Sequence, residues 1–160
     1  MSYKTIENFL TTEEHAKINN LLSGPEFRWF YQEVMTIKDN CFLSHVFYDN
    51  NNVNSPLYPI IIVPFLNKLK AHAVHSVRAN LTISFGDQYQ SEWHTDTSKE
   101  NCKTAIYYVN NNNGYTELKN NIKIDSKANR MLIFNSQMQH RMISATDIKN
   151  RLVINFNYYD

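Results

Sequence analysis

At 160 residues the chain suits a single domain with one sizeable core and requires no second unit. Sixteen Lys and Arg stand against fifteen Asp and Glu, a formal charge of +1, so neither a nucleic acid nor a membrane is an expected partner. The longest apolar run, Ile60 to Leu66, is broken by Pro64 and falls far short of the roughly 20 residues that span a bilayer; the opening MSYKTIENFL lacks the features of a secretory leader, and a soluble, cytoplasmic protein is expected.

Thr11 followed by Glu14 predicts a capping box, and Ala16, Ile18, Leu21 and Leu22 supply a one-sided apolar pattern. A helix is therefore expected from Thr12 to Leu22, closed by Gly24 and Pro25. Phe27 to Tyr48 reads as aromatic and irregular, and Asp49 to Asn54, nearly all asparagine and aspartate, as a turn or loop. A second helix is expected to start at Ser55, with Pro56 in its first position, and to continue through Phe65, Leu66 and Leu69, shortened or kinked by Pro59 and Pro64. From Ser76 onward come short runs rich in β-branched and aromatic residues: Val77 to Phe85, Thr104 to Val109, Tyr115 to Leu118, Met131 to Phe134 and Leu152 to Tyr159. Asn113-Gly114 marks a turn between the second and third of these. Helices ahead of a block of antiparallel strands indicate an α+β fold, mainly β, with the helices packed against one sheet of a sandwich or barrel. The many asparagines read as a compositional bias rather than a functional signal. Cys41 and Cys102 are too few for a disulfide framework and lack CxxC spacing, so free thiols are expected.

The chemistry concentrates in the second half. His94 and Asp96, at i and i+2 of an extended segment, point to the same side and can converge on one ion. His140 follows the run Met131 to Phe134 and a short polar turn, which sets it at a strand edge facing the pair if two sheets pack face to face. Two imidazoles and one carboxylate on one side leave coordination positions open, an arrangement that suits non-haem Fe(II) better than structural zinc. An HxD alone arises often by chance; its weight comes from the distal histidine after a strand and the arginine opening the last strand. His15 reads as a solvated helix residue, and His45, His72 and His75 as parts of packing surfaces.

Along the last run, alternation puts Arg151, Val153, Asn155 and Asn157 on one face and Leu152, Ile154, Phe156 and Tyr158 on the other. Both faces carry apolar residues, so the strand is expected to be buried on both sides, and a buried guanidinium needs an anionic partner. A dicarboxylate ligand supplies one through a bidentate fork. An ion pair with a glutamate or aspartate of the chain is the alternative.

His94-Thr95-Asp96, the strand Ile106-Tyr107-Tyr108-Val109-Asn110, the turn and strand Gly114-Tyr115-Thr116-Glu117-Leu118, the aliphatic Met131-Leu132-Ile133-Phe134, then His140 and Arg151 follow one another in an order that resembles a known family. It is that of the Fe(II)- and 2-oxoglutarate-dependent dioxygenases, particularly the prolyl 4-hydroxylase-like branch, and the likeness spans Asn80 to Asn157. The opening Ile6-Glu7-Asn8-Phe9-Leu10-Thr11 before a helix also resembles the family's start.

The resemblance implies a double-stranded β-helix, a distorted cupin-like jelly roll with iron at its open end. It implies His94, Asp96 and His140 as iron ligands, Arg151 as partner of the distal carboxylate of 2-oxoglutarate, and Tyr108 as a hydrogen-bond donor to the same carboxylate. Tyr108 could equally be a core aromatic with a satisfied hydroxyl; Tyr89 and Asn80 could enter the pocket but receive no role. One domain over residues 1–160 is expected, with a helical support region at 1–75 and a catalytic β core at 76–160. The implied activity is hydroxylation of a prolyl peptide or a small amino-acid-like substrate with dioxygen, releasing succinate and CO2, with ascorbate as reductant. The oligomeric state is not readable. A non-catalytic jelly-roll binding module and a cupin-like metalloenzyme of other chemistry are the rival readings. The chain departs from the family in having one glycine where two are common, in Glu117 and Leu118, and in the long spacing from His140 to Arg151, which leaves room for a hairpin through Ala145-Thr146-Asp147.

Overall fold

A computed structural model of the chain describes residues 2–32 and 42–160; residues 33–41, Cys41 among them, lie outside the described residues, while the described ends of the Phe27 to Tyr48 stretch carry strands where irregular chain was expected. In chain order the elements are β1 (Tyr3–Ile6), α1 (Thr12–Ser23), β2 (Phe30–Gln32), β3 (Phe42–Asp49), β4 (Asn52–Val53), a π-helical turn (Tyr58–Ile62) leading into α2 (Val63–Leu69), β5 (Ala73–Ile83), β6 (Lys103–Tyr108), β7 (Tyr115–Leu118), β8 (Ile122–Asp125), β9 (Arg130–Asn135), β10 (His140–Ile143) and β11 (Asn150–Tyr159).

The capping box forms as expected. The Thr11 hydroxyl accepts from the Glu14 N–H at 3.2 Å, and Glu14 Oε2 accepts from the Thr11 N–H at 2.8 Å. Gly24 ends α1 with φ −75°, so its need is space: a Cβ there would meet the Asn20 carbonyl oxygen at 2.9 Å. The second helix starts later than expected. Ser55 and Pro56 form a turn in which the Ser55 carbonyl accepts from the Tyr58 N–H at 3.0 Å, and helical winding begins at Tyr58. Pro64 has no N–H to offer the Ile60 carbonyl, so the first turn opens to a π turn closed by the Val63 N–H on the Tyr58 carbonyl.

Among the described residues, eight strands form a large antiparallel sheet in the order β1-β9-β6-β11-β5-β3-β2, with β4 on β3, and three form a small sheet, β10-β7-β8. The alternation read along β11 holds. Leu152, Ile154, Phe156 and Tyr158 join Ala105 and Tyr107 of β6 in a core with Ile18 and Leu22 of α1 and Phe65, Leu66 and Leu69 of α2. Ile106, Tyr108 and Val153 point the other way and meet Leu118 and Ile124 of the small sheet. The helices therefore cover one face of the large sheet, and the small sheet faces its other side, the double-stranded β-helix arrangement.

Residues 1–75 contribute more than helical support, since β1 to β4 extend the large sheet on both sides. β1 pairs with β9 and β3 pairs with β5. Asp49 to Asn54 is a turn as expected: Asn50 and Asn51, both at positive φ, form the two-residue loop of the β3–β4 hairpin. Among the described residues, seven of the eight non-glycine residues at positive φ are asparagines, so their abundance has a conformational use beyond compositional bias. His15 is not a solvated helix residue; it is half-buried, with Nδ1 2.6 Å from the Tyr107 hydroxyl. Among the described residues no helix is long and apolar enough to cross a membrane.

Candidate active site

His94 and Asp96 lie in the connection from Ser84 to Cys102, which has no extended strand of its own. Backbone bonds to the small-sheet side hold it. Ser144 N donates to the Tyr89 carbonyl, Ser91 N to the Met142 carbonyl, and His94 and His140 exchange both N–H···O bonds at 3.0 and 2.9 Å. The two imidazoles thus face each other across a single antiparallel bridge, their ring centroids 4.5 Å apart. Ligand atoms of His94, Asp96 and His140 all lie within 4.8 Å of one another, as the sequence spacing predicts.

Their surroundings prepare them for a cation. His94 Nδ1 is 3.0 Å from the Glu92 carbonyl oxygen and His140 Nδ1 is 3.1 Å from that of Met138. Since a carbonyl can only accept, each Nδ1 carries a proton, which leaves Nε2 as the nitrogen that can meet a metal. His140 is buried, and burial pushes its pKa down against the pull of Asp96, which favours the neutral ring a metal requires. The Thr104 hydroxyl donates to Asp96 Oδ2 at 2.8 Å, leaving Oδ1, which lies 3.6 Å from His140 Nε2, turned toward the cluster. Asn157 Oδ1, 2.8 Å from Thr104 Oγ1, is a second acceptor for the same single hydroxyl proton, and Asn157 Nδ2 donates to Ser76 Oγ at 3.2 Å.

Arg151, the second residue of β11, is 3% exposed. Its Nε donates to Ser126 Oγ at 2.9 Å and a terminal nitrogen donates to Thr116 Oγ1 at 3.2 Å, while its guanidinium carbon sits 5.6 Å from the Tyr108 ring centroid. Among the described residues no carboxylate forms an ion pair with it, and burial drives its pKa downward. The internal ion pair weighed from the sequence is therefore not formed by the described residues. Tyr108 is fully buried and donates its hydroxyl to Thr116 Oγ1 at 2.8 Å, so it stands behind Thr116. Thr116 accepts from both and keeps its own proton for a further partner.

A cavity of about 420 Å³ between the sheets is lined by the His94, Asp96, His140 cluster and by Arg151, Thr116 and Asn80, among others. The Oδ1 atoms of Asn80 and Asn155 are buried without a hydrogen-bond partner among the described residues. Tyr89 spends its hydroxyl on the Ile83 carbonyl at 3.2 Å and does not line the cavity. His75 is no packing residue: β5 carries one extra residue between the Asn157–Ser76 and Tyr158–Val74 pairs, and this bulge turns His75 onto the cavity wall beside Ser76. The lone glycine of the turn after β6 has a steric role, because a Cβ on Gly114 would lie 2.8 Å from the Ile143 carbonyl oxygen and 3.0 Å from Arg151 Cδ. The long hairpin before Arg151 is used as a latch: Asp147 accepts from the Asn113 N–H, and Asn113 Nδ2 donates to Thr146 Oγ1 at 2.7 Å. Sequence reasoning missed Thr116 and Ser126 as neighbours of Arg151. Thr116 sits inside a recognised motif, whereas Ser126, just past a short strand, gave no signal.

Residues 79–159, half of the chain, match the model of the 2OG-Fe(II) oxygenase superfamily. A search of curated protein sequences finds no match. Solved structures with the same fold include a 2OG-Fe(II) oxygenase family oxidoreductase from Burkholderia pseudomallei (TM-score 0.70, 10% identity, 98% of this chain and 85% of that one). A Trichoplax adhaerens prolyl hydroxylase in complex with a hypoxia inducible factor peptide fragment superposes with a TM-score of 0.66 at 18% identity, over 99% of this chain and 83% of that one. The epimerase SnoN, in complex with Fe3+, alpha ketoglutarate and nogalamycin RO, gives a TM-score of 0.67 at 10% identity, over 99% of this chain and 78% of that one. At these identities the likeness establishes the fold, and the family match sets aside the binding-module and other-chemistry cupin readings. The chain belongs to the 2OG-Fe(II) oxygenase superfamily and is a non-haem oxygenase that uses Fe(II) and 2-oxoglutarate.

Proposed function

We propose that the protein hydroxylates a prolyl peptide or a small amino-acid-like substrate in the cytoplasm, with His94, Asp96 and His140 as the iron ligands and Arg151 as the counter-ion of the distal carboxylate of 2-oxoglutarate. The chain acts as one domain, residues 76–160 carrying the chemistry and residues 1–75 supporting them. One observation carries the reading: a buried guanidinium, without a carboxylate of its own among the described residues, opens into the cavity that holds a two-histidine, one-aspartate cluster.

The donor set fits the two groups. Two neutral imidazoles and one carboxylate leave room for a chelating keto acid, and a cation closed off from water demands an anion. When bound, iron and 2-oxoglutarate supply the oxidising chemistry, in which dioxygen is consumed and the cosubstrate leaves as succinate and CO2. The residues of this chain bind and orient. Arg151 and the Thr116 proton meet the distal carboxylate, with Tyr108 holding Thr116 from behind. The Glu92 and Met138 carbonyls fix the imidazole tautomers, and Thr104 turns Asp96. No side chain is needed as a general base. The prolyl assignment is supported by the likeness to prolyl hydroxylases from Trichoplax adhaerens and Pseudomonas putida.

The test is anaerobic titration with Fe(II) and 2-oxoglutarate, followed by oxygen-dependent succinate release and mass analysis of proline-containing peptides and free amino acids. A visible charge-transfer band that needs both additions is expected, and His94→Ala and Asp96→Ala should lose the band and all succinate release. Unchanged turnover in both variants refutes the ligand assignment; oxidation of neither class of compound refutes the substrate assignment.

A further inference from the structure

On the outer face of the small sheet, away from the cavity, Trp93, Arg141, Glu117 and Lys119 form a cluster that the oxygenase chemistry does not use. Trp93 precedes His94 and Arg141 follows His140, and neither lines the cavity. Successive side chains of extended backbone point to opposite faces. With His94 and His140 paired through their backbones and turned inward, residues 93 and 141 leave on the outside. There the Arg141 guanidinium carbon lies 4.5 Å and Lys119 Nζ 4.4 Å from the Trp93 ring centroid. Arg141 is itself fixed, because its Nε donates at 2.6 Å to Glu117, its direct partner across the β10–β7 ladder. The ion pair is shielded, the two side chains being 22% and 14% exposed.

The need for such a contact follows from the backbone. The segment carrying His94 meets β10 through isolated bridges and not through a ladder. Asp96 is secured separately by Thr104, whereas among the described residues the His94 ring hydrogen-bonds only to the Glu92 carbonyl of its own segment. Slippage of a segment held by two isolated bridges, with no ladder beyond His94, would carry the His94 imidazole away from that of His140. A planar ring stacked on a guanidinium anchored in the neighbouring strand opposes that slippage.

We propose that Trp93, stacked on Arg141 and Lys119, is a positioning residue that holds His94 at the separation from His140 that the metal requires; the inference rests on the ligand assignment above. It acts through His94 and touches neither metal nor substrate.

The experiment is Mn(II) titration of chelator-stripped full-length protein, reading free Mn(II) by electron paramagnetic resonance, with a thermal melt of each variant. Trp93→Leu should bind Mn(II) about tenfold more weakly, the loss expected from two partly shielded cation–π contacts. Trp93→Phe, which keeps an aromatic face, should stay within about twofold of the parent. Arg141→Lys keeps the charge opposite Glu117 but loses the planar stack, so it should weaken Mn(II) binding even if Trp93→Leu does not fold. Lys123→Met removes a similar cation–π contact, 4.5 Å from the Tyr115 ring on the same small sheet, and should leave Mn(II) binding unchanged. Parent-like affinity in Trp93→Leu or Arg141→Lys, a Phe variant as impaired as the Leu variant, or an equal loss in Lys123→Met would overturn the proposal. A parent protein that binds no Mn(II) would instead refute the metal centre itself.

Discussion

Replacing Arg151 by methionine should make the ligand-free protein more stable and abolish its use of 2-oxoglutarate. The guanidinium is 3% exposed and meets two hydroxyls and an aromatic ring, with no carboxylate among its described neighbours. An ion buried without its counter-charge costs several kcal/mol, and apolar replacement of buried ions stabilises folds by about 1–4 kcal/mol. The hydroxyls of Ser126 and Thr116 lose a donor, which takes back about 1 kcal/mol, and Thr116 keeps its bond from Tyr108. The net gain is about 0–3 kcal/mol, a rise in Tm of up to roughly 12 °C for a domain of this size. In the loaded protein the sign reverses. Removing one partner of a buried charge pair costs about 2–5 kcal/mol, so 2-oxoglutarate should bind roughly 30- to 5,000-fold more weakly. Thermal melts without ligand and anaerobic calorimetry with Mn(II) and 2-oxoglutarate read the two arms. A variant that melts lower than the parent and binds 2-oxoglutarate normally would make Arg151 a structural residue and remove the principal support for the cosubstrate site.

Two further outcomes are expected. Thr104→Val removes the hydroxyl that turns Asp96 and should weaken Mn(II) binding by about 10- to 100-fold, while Thr104→Ser, which restores it, should bind like the parent; equal affinities in the Val and Ser variants would dissociate Thr104 from the centre. Burial holds the His15 pKa below its ordinary value of about 6.5, so the unfolded chain takes up the proton more readily. The His15 contribution is thus fully present above the unfolded pKa and is lost as pH falls below it. Urea midpoints at pH 8 and pH 5.5 should drop more for the parent than for His15→Gln, and equal drops would show that His15 does not titrate across folding.

Much of the site was readable because its residues obey short-range rules. Two-residue alternation aligned His94 with Asp96 and set Arg151 on the face opposite Leu152, and neither statement needs tertiary knowledge. The capping box of α1 is equally local. What escaped reading depends on partners distant in the chain. β3 alternates poorly in sequence because Ser44 faces the cavity while the neighbouring His45 is buried between Ser55 and the Arg28 carbonyl, so polar residues occupy positions where a strand pattern calls for apolar ones. β8 and β10 are four residues each and carry charges on their outer side. The bond from the Tyr108 hydroxyl to Thr116 is likewise a pairing set by how the two sheets face each other. The bulge at His75 is a register event between β5 and β11, invisible until both strands are paired.

With only three glycines, the chain bends its corners with asparagine, and asparagine brings a functional group to the bend. Asn129 shows what that adds. At φ 62° its side chain accepts from the Leu10 N–H, donates to the Leu10 carbonyl and accepts from the Tyr107 hydroxyl. Since that phenol has one proton, His15 must donate its own to the phenol oxygen, so one corner knots together the stretch ahead of α1, the helix itself and β6. Glycine could follow the same backbone path at Asn129 but would cut all three ties, whereas at Asn51, whose side chain makes no described hydrogen bond, it would lose little beyond unfolded-chain entropy.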